Sequence, residues 1–391
     1  MQDRQPPETV HVGTVTSLTG QFRSQGSQAL EGIAAWARDT NASGGIFISS
    51  LNRRLPVRLT NYNDERVARV ARALTEKLIA DDRVDLLLGP YSSVLALAAA
   101  PVAERFEKVL WNHGGAADRI YSRGFRYVVG ILTPASQYLP GVMDLVKNVD
   151  PEAGKIAILR SSRGSFPVDV ASGVESYAAA RGFRTVFSGQ YTPPIADFSP
   201  LLEQIAASEA DIIIGVGRIQ DDLLLAKQLV QKQVSAKAIA IVAAGIEQFK
   251  DELGSWADGF MGPSQWEAGD VYTPDYGPSA HELAARHRLF NPGSGDYPLF
   301  QAYAAGLVAQ RCVEEAGTLD NRSLREVASR LDFTTFYGRF KLDPQTGCQI
   351  GRSVVIVQWQ GGEKIVVWPE RMRRARVIYP SHLQNQHSIP E

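Results

Sequence analysis

Short β-branched runs alternate with longer helical patterns twice along this chain, and that alternation restricts its fold more than any other feature. Between residues 10 and 129 it runs strand HVGTVTSL, helix 25–41, strand PVRLTNYND, helix 66–80, strand DLLLGP, helix 94–106 and strand VLWNHG. In the first helix Ala29, Ile33, Trp36 and Ala37 share one face at helical spacing, and Gly44 and Gly45 stop it. The pattern then restarts with strand 156–160, helix 168–180, RTVFSGQY, helix 198–207, DIIIGVG, helix 221–232 and AIAIVAA. Serial strand–helix–strand units of this kind predict parallel sheets with right-handed crossovers, one in 10–130 and one in 131–262. After Gly262 come a Pro/Gly-rich aromatic stretch at 266–278, helical patterns at 279–290, 298–316 and 323–331, and a hairpin, SVVIVQWQGGEKIVVWP, around its Gly-Gly turn.

A length of 391 residues suits two domains, and 44% hydrophobic with 21% charged residues excludes general disorder. Forty-one basic against 42 acidic residues argue against a nucleic-acid protein that relies on a basic surface. The basic run RMRRAR at 371–376 reads as solvated surface. Cys312 and Cys348 are too few for a disulfide framework or a thiolate metal cluster and read as two buried thiols, a single bridge being the alternative. No apolar run is long enough to span a bilayer, and MQDRQPPETV lacks the basic and apolar regions of a secretory signal.

Catalytic motifs fail in turn. Neither a GxxxxGK[ST] phosphate loop nor a GxSxG elbow is present. GVGRIQ opens like a dinucleotide loop, but Gln220 stands where the third glycine belongs. His281, Glu282 and His287 suggest zinc until the spacing is counted, since six residues turn the second histidine onto another helix face. His113 ends a strand without a triad partner. No enzyme activity, cofactor or metal is therefore expected.

Polar and small residues do collect after the strands, at the carboxyl edge where open α/β sheets bind ligands. The first strand is followed by Ser17-Leu18-Thr19-Gly20-Gln21-Phe22 and Gln25-Gly26, the third by Gly89-Pro90-Tyr91-Ser92-Ser93, and the fourth by Asn112-His113-Gly114-Gly115-Ala116. The Tyr91–Ser93 loop leads into a helix whose open N–H groups, with a serine hydroxyl, suit a carboxylate or another acceptor-rich group.

These residues carry a resemblance. LTGQFRSQGSQALEGIAAWARDTNASGGI, LLLGPYSS, HGGAAD, FRYVVGILTP, YPLFQAYAAGLVAQRCVEEAG and FTTFYGRFKLDPQTGCQIGRSVVIVQW, in that order, resemble the periplasmic binding proteins for branched-chain amino acids and amides. The resemblance implies a two-lobed type I α/β fold, each lobe a mainly parallel doubly wound sheet, with ligand in the interlobe cleft and hinge closure over it. It implies three crossings between lobes: residues 8–130 and 263–337 in lobe 1, 131–262 and 338–378 in lobe 2, and a tail at 379–391. It further implies a monomeric, non-catalytic collector in the periplasm or outside the cell, free or lipid-anchored, that delivers a small molecule to the permease of an ABC transporter. A ligand sensor of the same fold is the alternative.

By the same resemblance, Ser93 matches a serine placed on the ligand carboxylate and Gly114 a backbone contact. Ala116 falls where a threonine is found, Gln25 and Phe166 where tyrosines are found, and Arg218 near another tyrosine. The acid expected to hold a ligand ammonium is replaced by Ala243-Ala244-Gly245, and Glu247 fits only with a shifted alignment. A buried ammonium without a carboxylate is costly. The ligand class therefore widens from amino acids to aromatic or aliphatic acids and amides, with Arg218 as a carboxylate partner and Tyr91, Phe22, Phe166 and Trp266 as apolar walls.

Overall fold

The computed structural model describes residues 7–268, 272–291 and 294–381. Residues 1–6 and 382–391, which include most of the expected tail, lie outside the described residues. The chain divides into two compact units, Met1–Pro134 with Ala268–Arg352, and Ala135–Glu267 with Ser353–Glu391.

The first unit is built on five parallel strands: β1 Val10–Thr16, β2 Val57–Asn63, β3 Leu86–Leu88, β4 Leu110–Asn112 and β5 Val128–Gly130. Their order is β2-β1-β3-β4-β5. All seven residues of β1 are buried, as expected for a parallel strand covered on both faces. Helices Ala68–Ala80 and Ser93–Arg105 cover one face, closing a core around Val15, Leu87, Leu110 and Val128. Helices Arg23–Ala42 and Tyr297–Ala316 lie on the other.

Those two long helices touch backbone to backbone. A Cβ on Gly32 would sit 2.1 Å from the Leu299 carbonyl oxygen, and one on Gly306 would sit 2.1 Å from the Trp36 ring. Each glycine is a notch that lets the partner helix approach. Where the helices part, Trp36 Nε1 and Thr40 Oγ1 both donate to Gln310 Oε1.

The second unit repeats the topology with a longer sheet. Strands β6 Lys155–Ser161, β7 Arg184–Tyr191, β8 Ile212–Val216, β9 Ala238–Ile241 and β10 Met261–Ser264 run parallel in the order β7-β6-β8-β9-β10. The hairpin β11 Val355–Gln360 and β12 Glu363–Trp368 adds antiparallel beside β10, its turn made by Gly361 and Gly362 at positive φ. Helix Pro140–Val149 and β10 have no counterpart in the sequence pattern. The first is only ten residues and the second carries Gly262 and Pro263 in a four-residue strand.

All three expected boundaries move, the first two by four and five residues to 134 and 267, and the third furthest. Residues 338–352, assigned above to lobe 2, group with the first unit. The buried Arg325 donates to the Arg126 and Pro344 carbonyls, Gly130 N–H donates to the Gly347 carbonyl, and Thr133 Oγ1 donates to the Arg352 carbonyl. These bonds tie the loop after the short hairpin Asp332–Thr335/Gly338–Lys341 to β5. Cys312 is buried and Cys348 half-buried, and both are free thiols.

Substituting Ala at Gly32 or Gly306 should cost about 1–3 kcal/mol by overpacking the helix pair. Urea unfolding would show a lower midpoint with an unchanged slope, and an unaltered midpoint would mean the helices can part without loss.

Candidate functional site

In the first unit the strand order places β1 beside β3, and the helices that follow them lie on opposite faces of the sheet. Their loops therefore diverge and open a crevice at the carboxyl edge. Ser92 sits in the loop after β3 at φ 94, just ahead of helix Ser93–Arg105, and its N–H donates to the Gly114 carbonyl at 2.9 Å. Gly114 comes so near that a Cβ there would lie 2.3 Å from the Pro90 oxygen. The loops after β3 and β4 are thus in direct backbone contact, which only glycine permits.

Ser93 locks the same junction. Its Oγ accepts from the Ala116 and Ala117 N–H groups at 3.2 and 3.0 Å. Both lone pairs are taken, so the hydroxyl can offer an incoming group only its proton. Ala116 is buried, with its N–H committed to that bond. Asn112, expected to face a ligand, turns inward instead: Nδ2 donates to the Gly115 carbonyl and the Tyr121 hydroxyl, and Oδ1 accepts from Gly115 N–H. Its amide shapes the turn.

The loop after β1 rests on the start of helix Arg23–Ala42, where a Cβ on Gly26 would lie 2.0 Å from the Ser17 oxygen. Gln25 beside it is buried, with Oε1 unpartnered. Phe22 meets Tyr91 edge to face at 6.0 Å, and the Tyr91 hydroxyl lies 3.4 Å from that of Tyr297. Burial holds the Tyr297 phenol well above its ordinary range, so it stays protonated. Tyr297, at the start of a helix far along the chain, had no sequence signal as a site residue. His113 is fully buried with Gly89 backbone beside its ring but outside hydrogen-bond geometry, and burial pushes the imidazole down to about 4.

In the second unit Phe166, Arg218 and Trp266 all follow the carboxyl ends of strands. Phe166 stands edge to face on Tyr138 at 5.1 Å. Arg218 lies over Gly164, where a Cβ would be 3.2 Å from Nη2. Its guanidinium faces Asp221, whose carboxyl is raised by burial and held back by that charge. Trp266 is buried, its carbonyl accepting from Ser264 Oγ.

Two acids alter the expected charge pattern. Asp222 Oδ2 accepts from Ala243 N–H at 3.1 Å, against the loop that lacks a carboxylate of its own, and burial lifts this carboxyl well above its ordinary range. Glu247, the alternative ammonium partner, is already paired: Lys364 Nζ lies 3.1 Å from it, 3.2 Å from Glu267 and 3.4 Å from the Gly245 carbonyl oxygen. Gly217 in GVGRIQ is covered, since a Cβ would fall 2.2 Å from the Tyr191 hydroxyl and 2.4 Å from Asp222 Oδ1. Glu282 closes a capping box with Ser279, and His287 pairs with Asp39 at 2.9 Å. Among the described residues no group of three or more His, Cys, Asp or Glu could hold a metal, and no helix is long and apolar enough to cross a membrane.

Comparison with known proteins followed this geometry. A family model described as periplasmic binding protein matches residues 9–364. A Leu/Ile/Val-binding protein homolog 7 from Brucella abortus is 23% identical, over 95% of this chain and 94% of its own. Among solved structures, a branched-chain amino acid transporter substrate-binding protein from Streptococcus pneumoniae in complex with isoleucine is similar at TM-score 0.76 and 15% identity, covering 95% of this chain and 100% of that one. A solute-binding protein of an ABC transporter from R. palustris in complex with 4-hydroxybenzoate is similar at TM-score 0.74 and 19% identity, covering 92% of this chain and 95% of that one.

The His113 environment sets a pH dependence. Its folded pKa of about 4 lies below the ordinary 6.5, so the neutral ring stabilises above pH 6.5 and that stability is lost as pH falls toward 4. Unfolding free energy should drop by about 2 kcal/mol between pH 7 and pH 5 through this group, and His113→Gln should flatten that part of the curve. An equal slope in both proteins would show that the ring titrates normally.

Proposed function

The chain belongs to the periplasmic binding protein family, and on that premise we propose that it collects a small solute outside the cytoplasm and delivers it to the permease of an ABC importer. The observation that carries the ligand reading is the start of helix Ser93–Arg105. Its first-turn N–H groups lack intrahelical partners, and the Ser93 proton and unpartnered Ser92 hydroxyl stand beside them. An acceptor-rich group, a carboxylate above all, suits that donor set. Tyr91 and Phe22 supply the apolar wall, with Gln25, Gly114 and Ala116 around it and Asn112 holding the turn in shape. The second unit closes over the ligand with Phe166 and Trp266, and the chain works as a monomer without catalysis.

For the rest of the ligand, we favour an aromatic or aliphatic acid, or an amide-bearing one, over an α-amino acid. The loop 243–245 carries no acid, Glu247 already holds an ammonium from its own chain, and burial lifts the Asp222 carboxyl well above its ordinary range, against the charged form. Arg218 stands near Asp221, whose carboxyl its charge holds down against burial. The neighbours' isoleucine and 4-hydroxybenzoate mark the two classes to be separated.

Protein unfolded, stripped of carried-over ligand and refolded should be screened by melting temperature against amino acids, amides and aromatic acids. A ligand at 100 times its Kd adds about 2.7 kcal/mol of stability. Acids without an ammonium should raise the melting temperature and isoleucine should not; the reverse result would sink the ligand class. Ser93→Ala should weaken binding by about 1–3 kcal/mol. X-ray scattering of bound against stripped protein should show compaction, and identical curves at saturation would refute closure.

A further inference from the structure

Several polar side chains in the first unit are buried without partners on one face of its sheet. Gly13 faces helix Ala68–Ala80, since a Cβ there would meet Val84 and Leu78, so Thr14 points to the other side. Leu88 and Trp111 continue Thr14's row across β3 and β4 by strand register, on the face opposite the core that holds Leu87 and Leu110. Helix Tyr297–Ala316 packs on β3 and β4 from that side.

The helix's own orientation can be fixed from its glycine contacts. Leu299, Tyr303 and Gly306 face helix Arg23–Ala42. Gln301, two residues from both Leu299 and Tyr303, is rotated about 200° from Leu299 and so points away from that helix. Tyr297 lies one turn earlier on the same side, and its hydroxyl reaches Tyr91 in the loop after β3. Gln301 therefore sits about 6 Å further along the helix than Tyr297, on the same side.

Gln301 is 1% exposed and Trp111 0% exposed, yet Gln301 Nε2, Gln301 Oε1 and Trp111 Nε1 all lack hydrogen-bond partners. Buried polar groups are almost always paired, because an unpaired one forfeits its hydration without return. Three such atoms, on this helix and on a strand it packs against, call for a guest. His113, two residues beyond Trp111, is kept neutral by burial.

We propose that Gln301 and Trp111 form an uncharged floor of the first unit's site, reading a neutral donor–acceptor group of the ligand, an amide or a hydroxyl. Trp111 Nε1–H donates to that group's oxygen, while the Gln301 amide both donates and accepts. This rests on the ligand reading above and adds to it the second functional group that the acid should carry. A site built to pair such a group discriminates strongly against the analogue that lacks it.

The test uses two pairs of acids, 4-hydroxybenzoate with benzoate and succinamate with butyrate, on the wild type, Gln301→Leu and Trp111→Phe. The hydroxyl- or amide-bearing member of one pair should bind the wild type at least tenfold more tightly than its parent, and either substitution should erase that difference. A preference that survives in both variants overturns the floor. Ligand-free Gln301→Leu should melt at or above the wild-type temperature, because an unpaired amide has been removed; a clear fall would show the amide paired within the structure and would also overturn it. If none of the four acids shifts the wild-type melting curve, the ligand class of the preceding section fails, while the ligand-free melting comparison still decides whether Gln301 is unpaired.

Discussion

The contact between the loops after β3 and β4 is the constraint on which the first unit's site depends. Ser92 N–H donates to the Gly114 carbonyl, Gly114 presses on Pro90, and Ser93 Oγ gathers the next two N–H groups. The Ser92–Gly114 and Gly114–Pro90 contacts are backbone to backbone and cannot relax through rotamers. The junction fixes where helix Ser93–Arg105 begins, and hence where its open N–H groups point. It also explains why Asn112 is turned inward: the amide holds the sharp return from β4 that brings Gly114 into place.

The second unit repeats the strand order but spends its polar groups differently. Glu247 is paired with Lys364, Asp222 is buried with one oxygen on Ala243 N–H, and the Arg218 charge bears on the half-desolvated Asp221. The Glu247 charge is thus matched within the unit. The open N–H groups at the start of helix Ser93–Arg105 in the first unit have no such internal partner within their helix.

Much of this could be seen in the sequence. RTVFSGQY is β7 over the same residues, and helix Tyr297–Ala316 starts one residue before the expected 298. The loops after β1, β3 and β4 also lie where Ser17, Ser93 and Gly114 suggested, because turn chemistry is written locally. Misses share a different cause. Gln301 and Tyr297 look like ordinary residues of an apolar helix, and nothing near them shows that this helix will lie under loops some 200 residues earlier. The boundary after 337 was misplaced because Arg325 and Gly347 act through carbonyls of Arg126 and Val128, contacts with no signature in composition.

By itself, then, the sequence determined two parallel α/β units, the edge on which polar loops gather, and the family to which the order of its motifs points. Periodicity and turn residues act over a few positions, and that is the range over which a chain can be read directly. Tertiary structure alone decided which hydroxyls and amides remain open. Whether Ser93 offers a lone pair or only a proton, whether Glu247 is available, and whether Gln301 has a partner all depend on atoms brought together from distant segments. Hydrogen-bond capacity is finite, and what a fold uses internally is no longer available to a ligand.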